Sequence, residues 1–311
     1  MTNRSFDRRV HPEAARFSEW RACDGWRHRR IDWAQPPGKA RGTLLFAGGR
    51  GDFIEKYMEP MAHWHGTGWA VTGFDWRGQG GSRGDIVGGH LDSLDPLVED
   101  LAGIVAELAK AGPAPHVAVA HSMGGHVLLR AIAEERVKLD AAVLVAPMLA
   151  INSAPLPAWA GWWTAAFLSA LGWRRQPAWR QRVPPPPAGS SRQAFLTSCA
   201  ERYADELWWW EREPGFNLGA PSWGWLDAAY RSNAALTEAK LRTVETPILL
   251  LGTETDRLVS AAAIRRAAAL LPNAALKMFE RAGHEILREA DPVREAALAA
   301  IDGFLDEATG R

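Results

Sequence analysis

His116-Val117-Ala118-Val119-Ala120-His121-Ser122-Met123-Gly124-Gly125 is the stretch on which the fold turns. Its first half is a short apolar run with β-branched residues, as a buried parallel strand requires. Its second half opens a segment, Met123 to Arg136, in which Val127, Leu128, Ala131 and Ile132 recur at helical spacing. A strand running straight into a serine, with a helix leaving it, is the local setting of a nucleophile elbow. Gly124 and Gly125 are poor helix formers, each costing about 1 kcal/mol against Ala. They make sense where backbones pack closely or turn sharply.

The motif letters alone do not single out this serine. Gly80-Gly81-Ser82-Arg83-Gly84 matches G-x-S-x-G fully, while Ala220-Pro221-Ser222-Trp223-Gly224 and Ala120-His121-Ser122-Met123-Gly124 match with Ala in first place. Context separates them. The strand expected at Trp69 to Phe74 ends several residues before Ser82, and Gly84-Asp85-Ile86-Val87-Gly88-Gly89 is no helix. Ser222 lies in a Trp- and Pro-rich stretch without a preceding strand. Ser82 and Ser222 therefore read as loop serines and Ser122 as the nucleophile.

A serine hydroxyl needs a base. Of nine histidines, two follow Ser122. His126 is four residues into the elbow helix, points along it, and reads as a packing or surface residue. His284, in Arg281-Ala282-Gly283-His284-Glu285, follows the apolar run Ala274 to Phe279, a strand end where catalytic groups of open α/β sheets gather. The acid that orients such a base is expected after the strand Pro247 to Gly252, in Thr253-Glu254-Thr255-Asp256. Asp256 is the better candidate and Glu254 the reserve. An Asp there can also cap the helix expected at Val259 to Leu271. The oxyanion needs two backbone N–H groups. Met123, at a helix start, is one. Gly49, in Ala47-Gly48-Gly49-Arg50-Gly51 after the strand Thr43 to Phe46, is the other, with Gly48 and Arg50 as alternatives. The order Ser, acid, His is that of α/β-hydrolases rather than of chymotrypsin-like or subtilisin-like chains.

On these residues the chain resembles the α/β-hydrolase branch that holds bacterial lysophospholipases and monoacylglycerol lipases. Phe74-Asp75-Trp76-Arg77-Gly78-Gln79-Gly80-Gly81-Ser82 is similar to that family's D-x-R-G-x-G-x-S loop, and Ala47 to Tyr57 to its oxyanion loop and following helix. His121-Ser122-Met123-Gly124-Gly125 matches its elbow and Gly283-His284-Glu285-Ile286 its terminal G-H-E-I. Ala120 and Ala47 depart from its usual Gly and His. The resemblance implies a mostly parallel central sheet flanked by helices, a structural role for Ser82, and a single-chain lipid ester as substrate. A small-molecule carboxylesterase or a peptidase would use the same site. A non-catalytic lipid carrier should have lost a triad member, and this chain keeps all three.

The 311 residues can bury a large core. Strand and helix alternate over 1–147 and again over 235–311, leaving 148–234 as an insert of different composition. It holds ten of the sixteen tryptophans, and an insert after the sixth strand of this fold would lie over the site as a lid. Some of these tryptophans must hold the lid to the core. The excess, with Trp162, Trp163 and Trp208 named as substrate-binding, suggests an acyl channel or a face for membrane surfaces and lipid aggregates. Pro184-Pro185-Pro186-Pro187 reads as an extended hinge. The run 141–173 is uncharged, but Pro147, Pro155 and Pro157 interrupt it and the Pro-free remainder is short of the ~20 residues of a span. A buried strand followed by an apolar helix is expected instead.

Formal net charge is zero, so no nucleic-acid partner is expected. The arginines of 27–30 and 174–175 read as solvated faces. Cys23 and Cys199 are too few for a disulfide framework or thiolate metal site. His63 and His65, two apart, point away from each other on a helix, so no metal is expected there, and no cofactor elsewhere. Met1 to Val10 has no apolar signal core. That makes the cytoplasm the expected location, with the inner membrane face within reach. Head group, acyl length and oligomeric state are not encoded in any motif.

Overall fold

The computed structural model describes residues 6–34, 41–153, 157–180 and 186–310. Met1 to Ser5, Pro155 and the first half of the proline run, Pro184 and Pro185, lie outside the described residues. Eight strands form one sheet: β1 (Ala15–Arg21), β2 (Arg27–Trp33), β3 (Gly42–Ala47), β4 (Trp69–Phe74), β5 (His116–His121), β6 (Ala141–Val145), β7 (Ile248–Thr253) and β8 (Ala274–Phe279). Their order is β1-β2-β4-β3-β5-β6-β7-β8. β2 runs antiparallel to β1 and β4, and β3 to β8 are parallel to one another.

The helices are α1 (Met58–Gly66), α2 (Asp95–Ala111), α3 (Met123–Ala133), α4 (Ala158–Leu168), α5 (Ser191–Leu196), α6 (Ala200–Arg212), α7 (Trp223–Ala235), α8 (Glu238–Arg242), α9 (Ala261–Leu270) and α10 (Asp291–Ala308). α4 to α8 all fall between β6 and β7, and α4 continues into a π turn at Ser169–Trp173.

Hydrophobicity explains the centre. Every residue of β3, β6 and β7 is buried, because helices cover both faces of the parallel sheet. Leu44, Val119, Val143, Leu144 and Leu250 have no exposed surface. Each such side chain contributes about 1.5–3 kcal/mol relative to exposure. The register aligns the strand ends: Ala47 lies opposite both Phe74 and Ala120, His121 opposite Val145, and Thr253 opposite Phe279. The loops after these residues thus leave the sheet along one edge. This is the α/β-hydrolase fold.

Two expectations change. The chain begins with a β1–β2 hairpin that polar sequence conceals, since most of β1 is exposed. The arginines of 27–30 are not simply a solvated face. His28 is fully buried, and Arg29 is held by Glu55 and Asp75 at 2.7 Å each. Arg30 pairs with Asp32 and Glu107.

Candidate active site

Ser122 sits between β5 and α3 with φ 51° and ψ −116°. A non-glycine residue in that region stores on the order of 1–3 kcal/mol, and persists only when its surroundings over-determine it. They do here. The Ser122 amide donates to Val145 O at 2.9 Å, and its carbonyl accepts from the amides of His126 at 3.1 Å and Met148 at 2.9 Å. Gly124 is required by close approach: a Cβ there would lie 2.3 Å from Gly48 O and 2.7 Å from Ala47 O.

His284 Nε2 lies 2.8 Å from Ser122 Oγ, and His284 Nδ1 lies 2.7 Å from Asp256 Oδ2. Residues from three loops, separated by up to 162 positions, thus form one hydrogen-bonded chain. Asp256 uses its other oxygen locally. Oδ1 accepts from the amides of Leu258 at 2.8 Å and Val259 at 3.0 Å, while Ser260 is the cap of α9. The reserve acid, Glu254, is exposed and paired with Arg265.

Burial opposes the charged imidazole of His284, but the Asp256 carboxylate outweighs it and raises the group above its ordinary value. Burial likewise opposes the Asp256 carboxylate. His284 and the two turn amides outweigh it and hold the group below the ordinary range. The pair can therefore take the proton of Ser122 and keep the resulting charge stable.

Met123 is the first residue of α3, so its amide has no helical carbonyl to serve. The sequence predicts Gly49 as the second donor, and here the structure differs. Gly49 stands against the nucleophile, since a Cβ there would be 2.8 Å from Ser122 Cβ. Its amide, however, donates to Asp52 Oδ2 at 2.6 Å. The loop curls so that a carboxylate three residues on occupies that hydrogen, and Gly49 is not a free donor in this arrangement.

Asp52 belongs to a buried charge cluster with no sequence motif of its own. Lys56 Nζ lies 2.6 Å from Asp52 Oδ1, 2.7 Å from Glu285 Oε1 and 3.6 Å from Glu206 Oε2. Arg288 pairs with Glu206 and Glu285, and Arg192 reaches Glu206 at 2.7 Å. Burial alone would push the Lys56 ammonium down, but the three carboxylates hold it above its ordinary value. His121 joins this cluster to the site. Its Nδ1 lies 2.8 Å from Asp52 Oδ2 and 2.9 Å from Tyr57 Oη, and its Nε2 lies 3.3 Å from the His284 carbonyl. A sequence signal for the cluster exists only in retrospect: Asp52 and Lys56 stand four apart on either side of the apolar Phe53 and Ile54.

The remaining candidates are placed as follows. Ser82 is structural, donating to Asp75 O at 2.8 Å and accepting from the Arg29 amide at 2.7 Å. Ser222 caps α7. His126 is buried against Ser232. Trp162 and Trp163 stand on α4 with 38% and 69% of their surface exposed. Trp208 contacts Trp209, Arg9 and Arg212 rather than any residue of the Ser122–His284–Asp256 chain. The insert does reach the site through α5: the amides of His284 and Glu285 donate to Phe195 O and Leu196 O at 3.0 and 2.8 Å. Among the described residues no cluster of side chains could hold a metal ion. His63 is instead paired with Asp302.

Fold and site together define an α/β-hydrolase. Residues 38–291 match the family described as serine aminopeptidase, S33, and the chain belongs to that family. It is 28% identical over 284 residues to a probable lysophospholipase L2 of Haemophilus influenzae, covering 88% of this chain and 86% of that one. It is 27% identical over 285 residues to lysophospholipase L2 of Escherichia coli strain K12, covering 85% and 80%. Among solved structures, a soluble variant of the Saccharomyces cerevisiae monoglyceride lipase with a substrate analog matches with a TM-score of 0.75. It is 16% identical, and the match covers 98% of this chain and 100% of that one. The Paleococcus ferrophilus monoacylglycerol lipase matches with a TM-score of 0.68 at 21% identity, covering 90% and 98%. These two structures speak for the fold. Assignment as a carboxylic ester hydrolase fits the family and the relatives alike.

Proposed function

We propose that the chain hydrolyses the carboxylic ester of a single-chain lipid, a lysophospholipid or a monoacylglycerol, through an acyl-enzyme on Ser122. The observation that carries this reading is the Ser122–His284–Asp256 chain of hydrogen bonds at 2.8 and 2.7 Å, beside an insert rich in exposed tryptophan. Ser122 Oγ attacks the ester carbonyl carbon as its proton passes to His284 Nε2. Asp256 holds His284 in the tautomer that can accept it. The oxyanion is met by the Met123 amide and by a donor from the Gly48-Gly49-Arg50 loop. The Gly49 hydrogen would there be shared with, or released by, Asp52. The tetrahedral intermediate expels the glycerol-side alcohol, which takes the proton from His284. Water then attacks the acyl carbon as it gives a proton to His284, which returns that proton to Ser122 Oγ as the fatty acid leaves.

The segment 148–234 acts as the lid of this site. Its exposed tryptophans meet the lipid aggregates in which such substrates are presented. The names of the lysophospholipase L2 relatives support the substrate class.

The test offers long-chain monoacylglycerol, long-chain lysophosphatidylcholine and a short p-nitrophenyl ester to wild type and to Ser122→Ala. The expected result is cleavage of at least one lipid by wild type, and loss of turnover in a folded Ser122→Ala. Cleavage of the short ester alone would move the function to a small-molecule esterase. Undiminished turnover by Ser122→Ala would end the mechanism.

A further inference from the structure

A cleft of about 680 Å³ opens along the seam between insert and core, between α5 and the loops that carry Asp256 and His284. Volumes of roughly 300–1,000 Å³ are typical of small-molecule sites. Ser191, Gln193 and Phe195 line it from α5, and Arg257, Arg281 and Gly283 line it from the core. Ser122 is not part of the lining, so the cleft is separate from the nucleophile's own site. It is nonetheless next to the other two members of the chain: Arg257 follows Asp256, and Gly283 precedes His284. The seam here is tight. The amides of His284 and Glu285 bond to Phe195 O and Leu196 O, and a Cβ at Gly283 would lie 2.4 Å from Leu196 O.

The lining holds hydrogen-bond donors that the chain itself does not use. Arg257 and Arg281 are exposed, and neither forms an ion pair or a side-chain hydrogen bond among the described residues. The guanidinium carbon of Arg257 lies 5.3 Å from the centroid of the Phe195 ring, which steadies that cation against the insert wall. Gln193 is only 7% exposed. Its Oε1 accepts from the Gly189 amide at 2.7 Å, which orients the group and leaves Nε2 as the donor. Nε2 has no partner among the described residues, yet it is not sealed off, and the cleft is what it opens to. Glu289 is the one carboxylate in the lining. It is fully buried and accepts from the amides of Ser198, Gly283 and Ala290 and from the Ser198 hydroxyl. Its oxygens are thus spent within the wall, and the two guanidiniums border the cleft without a counter-charge.

We propose that this cleft binds a phosphate monoester, held by Arg257 and Arg281 from the core and by Gln193 from the insert. Two planar forks and a neutral amide donor suit an oxygen-rich dianion. A carboxylate has two oxygens and occupies one fork, whereas a phosphate monoester has three terminal oxygens to share among all three side chains. The bound group pins the insert to the two loops that present Asp256 and His284. Such binding is independent of which ester Ser122 cleaves, and so goes beyond the lipid-ester reading. The phosphate can arrive on a small soluble molecule or as the head group of phosphatidic acid in a membrane surface.

Binding measurements on the full chain test this without turnover. Calorimetry with glycerol 3-phosphate covers the soluble source, with glycerol as the neutral control. Co-sedimentation with phosphatidylcholine vesicles, with and without phosphatidic acid, covers the membrane source. Each is run on wild type, on the double variant Arg257→Gln with Arg281→Gln, on the corresponding double Lys variant, and on Gln193→Glu. Wild type should bind at least one of the two phosphate probes, and whichever it binds names the source. The double Gln variant should bind at least tenfold more weakly, the size of a lost charged hydrogen bond. The double Lys variant keeps the charge but loses the forks, so it should fall between the two; undiminished binding there would mean unspecific attraction and overturn the proposal. Gln193→Glu keeps the Gly189 contact but replaces the free donor, and unchanged binding would remove the insert from the site and overturn the clamp. Binding of neither probe, or equal binding by wild type and the double Gln variant, overturns the site itself. Hydrogen exchange locates the ligand: the amides of His284 and Glu285 should exchange more slowly when the probe is bound to wild type. Protection that appears only away from α5 and these two residues would place the phosphate elsewhere and overturn the assignment.

Discussion

Asp256 divides its two oxygens between a turn and an imidazole, and this division makes it, rather than Glu254, the partner of His284. Oδ1 is fixed by two amides, so Oδ2 is presented to His284 without rotamer freedom. A pH–rate prediction follows at this scale. The free enzyme needs neutral His284, and Asp256 raises that group above 6.5, so kcat/KM should climb with pH through an acid limb centred above 6.5. In Asp256→Asn the attraction is gone and burial remains, so the limb should move to lower pH while kcat falls roughly ten-thousand-fold. A limb that stays in place would show that His284 is not the titrating base. The meeting of Ser122, His284 and Asp256 was legible because each follows an apolar strand, and strand ends can be read from hydrophobic runs. The Gly49–Asp52 contact was not legible, since it depends on how far a glycine loop curls. Neither was the stack of Trp208 on Arg212, because composition counts tryptophans without aiming them.

Among the elements, α3 carries a second titrating group that the proposed chemistry does not use. His126 Nε2 lies 2.6 Å from Ser232 Oγ, to which Arg130 also donates at 2.9 Å. The hydroxyl accepts from Arg130 and shares a hydrogen bond with His126, which is neutral and ties α3 to α7. Burial, with Arg130 adding to it and Glu134 opposing, lowers the group to about 3. Between that value and the ordinary 6.5 the unfolded chain binds more protons than the folded one, so stability rises with pH and is lost on acidification. Between pH 6.5 and about 5 the loss should amount to about 1–2 kcal/mol. His284, raised rather than lowered, works in the opposite direction, giving up its contribution as pH rises through its folded value. Melting curves of wild type should steepen their decline with acid, and those of His126→Gln should be flatter over that interval. Equal slopes would remove His126 as the cause. The elements themselves were uneven in legibility. β3, β5, β6 and β7 announce themselves as apolar runs because they are buried on both faces. The β1–β2 hairpin is an edge whose first strand is largely exposed and whose second carries ion-paired arginines, and its sequence reads as surface.

At the scale of the molecule, the apolar helix expected after β6 exists as α4 but is not buried. Trp159, Trp163, Phe167 and Leu171 are each more than half exposed, as are Trp173 and Trp179. No helix among the described residues is long and apolar enough to cross a membrane. Trp209, Trp210 and Trp225 are the opposite case, buried where the insert meets the core. One composition thus served two purposes, which counting could suggest but not allocate. If the exposed face meets lipid, replacing Trp159, Trp163 and Phe167 by Ser should weaken co-sedimentation with phospholipid vesicles at least tenfold and raise KM for aggregated lipid. Turnover of a short soluble ester should be spared; vesicle binding that survives the triple change would assign the patch elsewhere. The charge cluster beneath the site bears on how such an enzyme can be rebuilt. The core brings Asp52, Glu285, Lys56 and Arg288, and the insert brings Glu206 and Arg192. Each side of the seam is neutral by itself. A cap from another chain can therefore be grafted without unbalancing this cluster, provided it also supplies partners for Glu59 and Asp291, which Arg202 meets, and for Arg8 and Arg9, which Asp205 meets; a graft boundary drawn between residues 192 and 206 would leave one ion of the cluster without its partner.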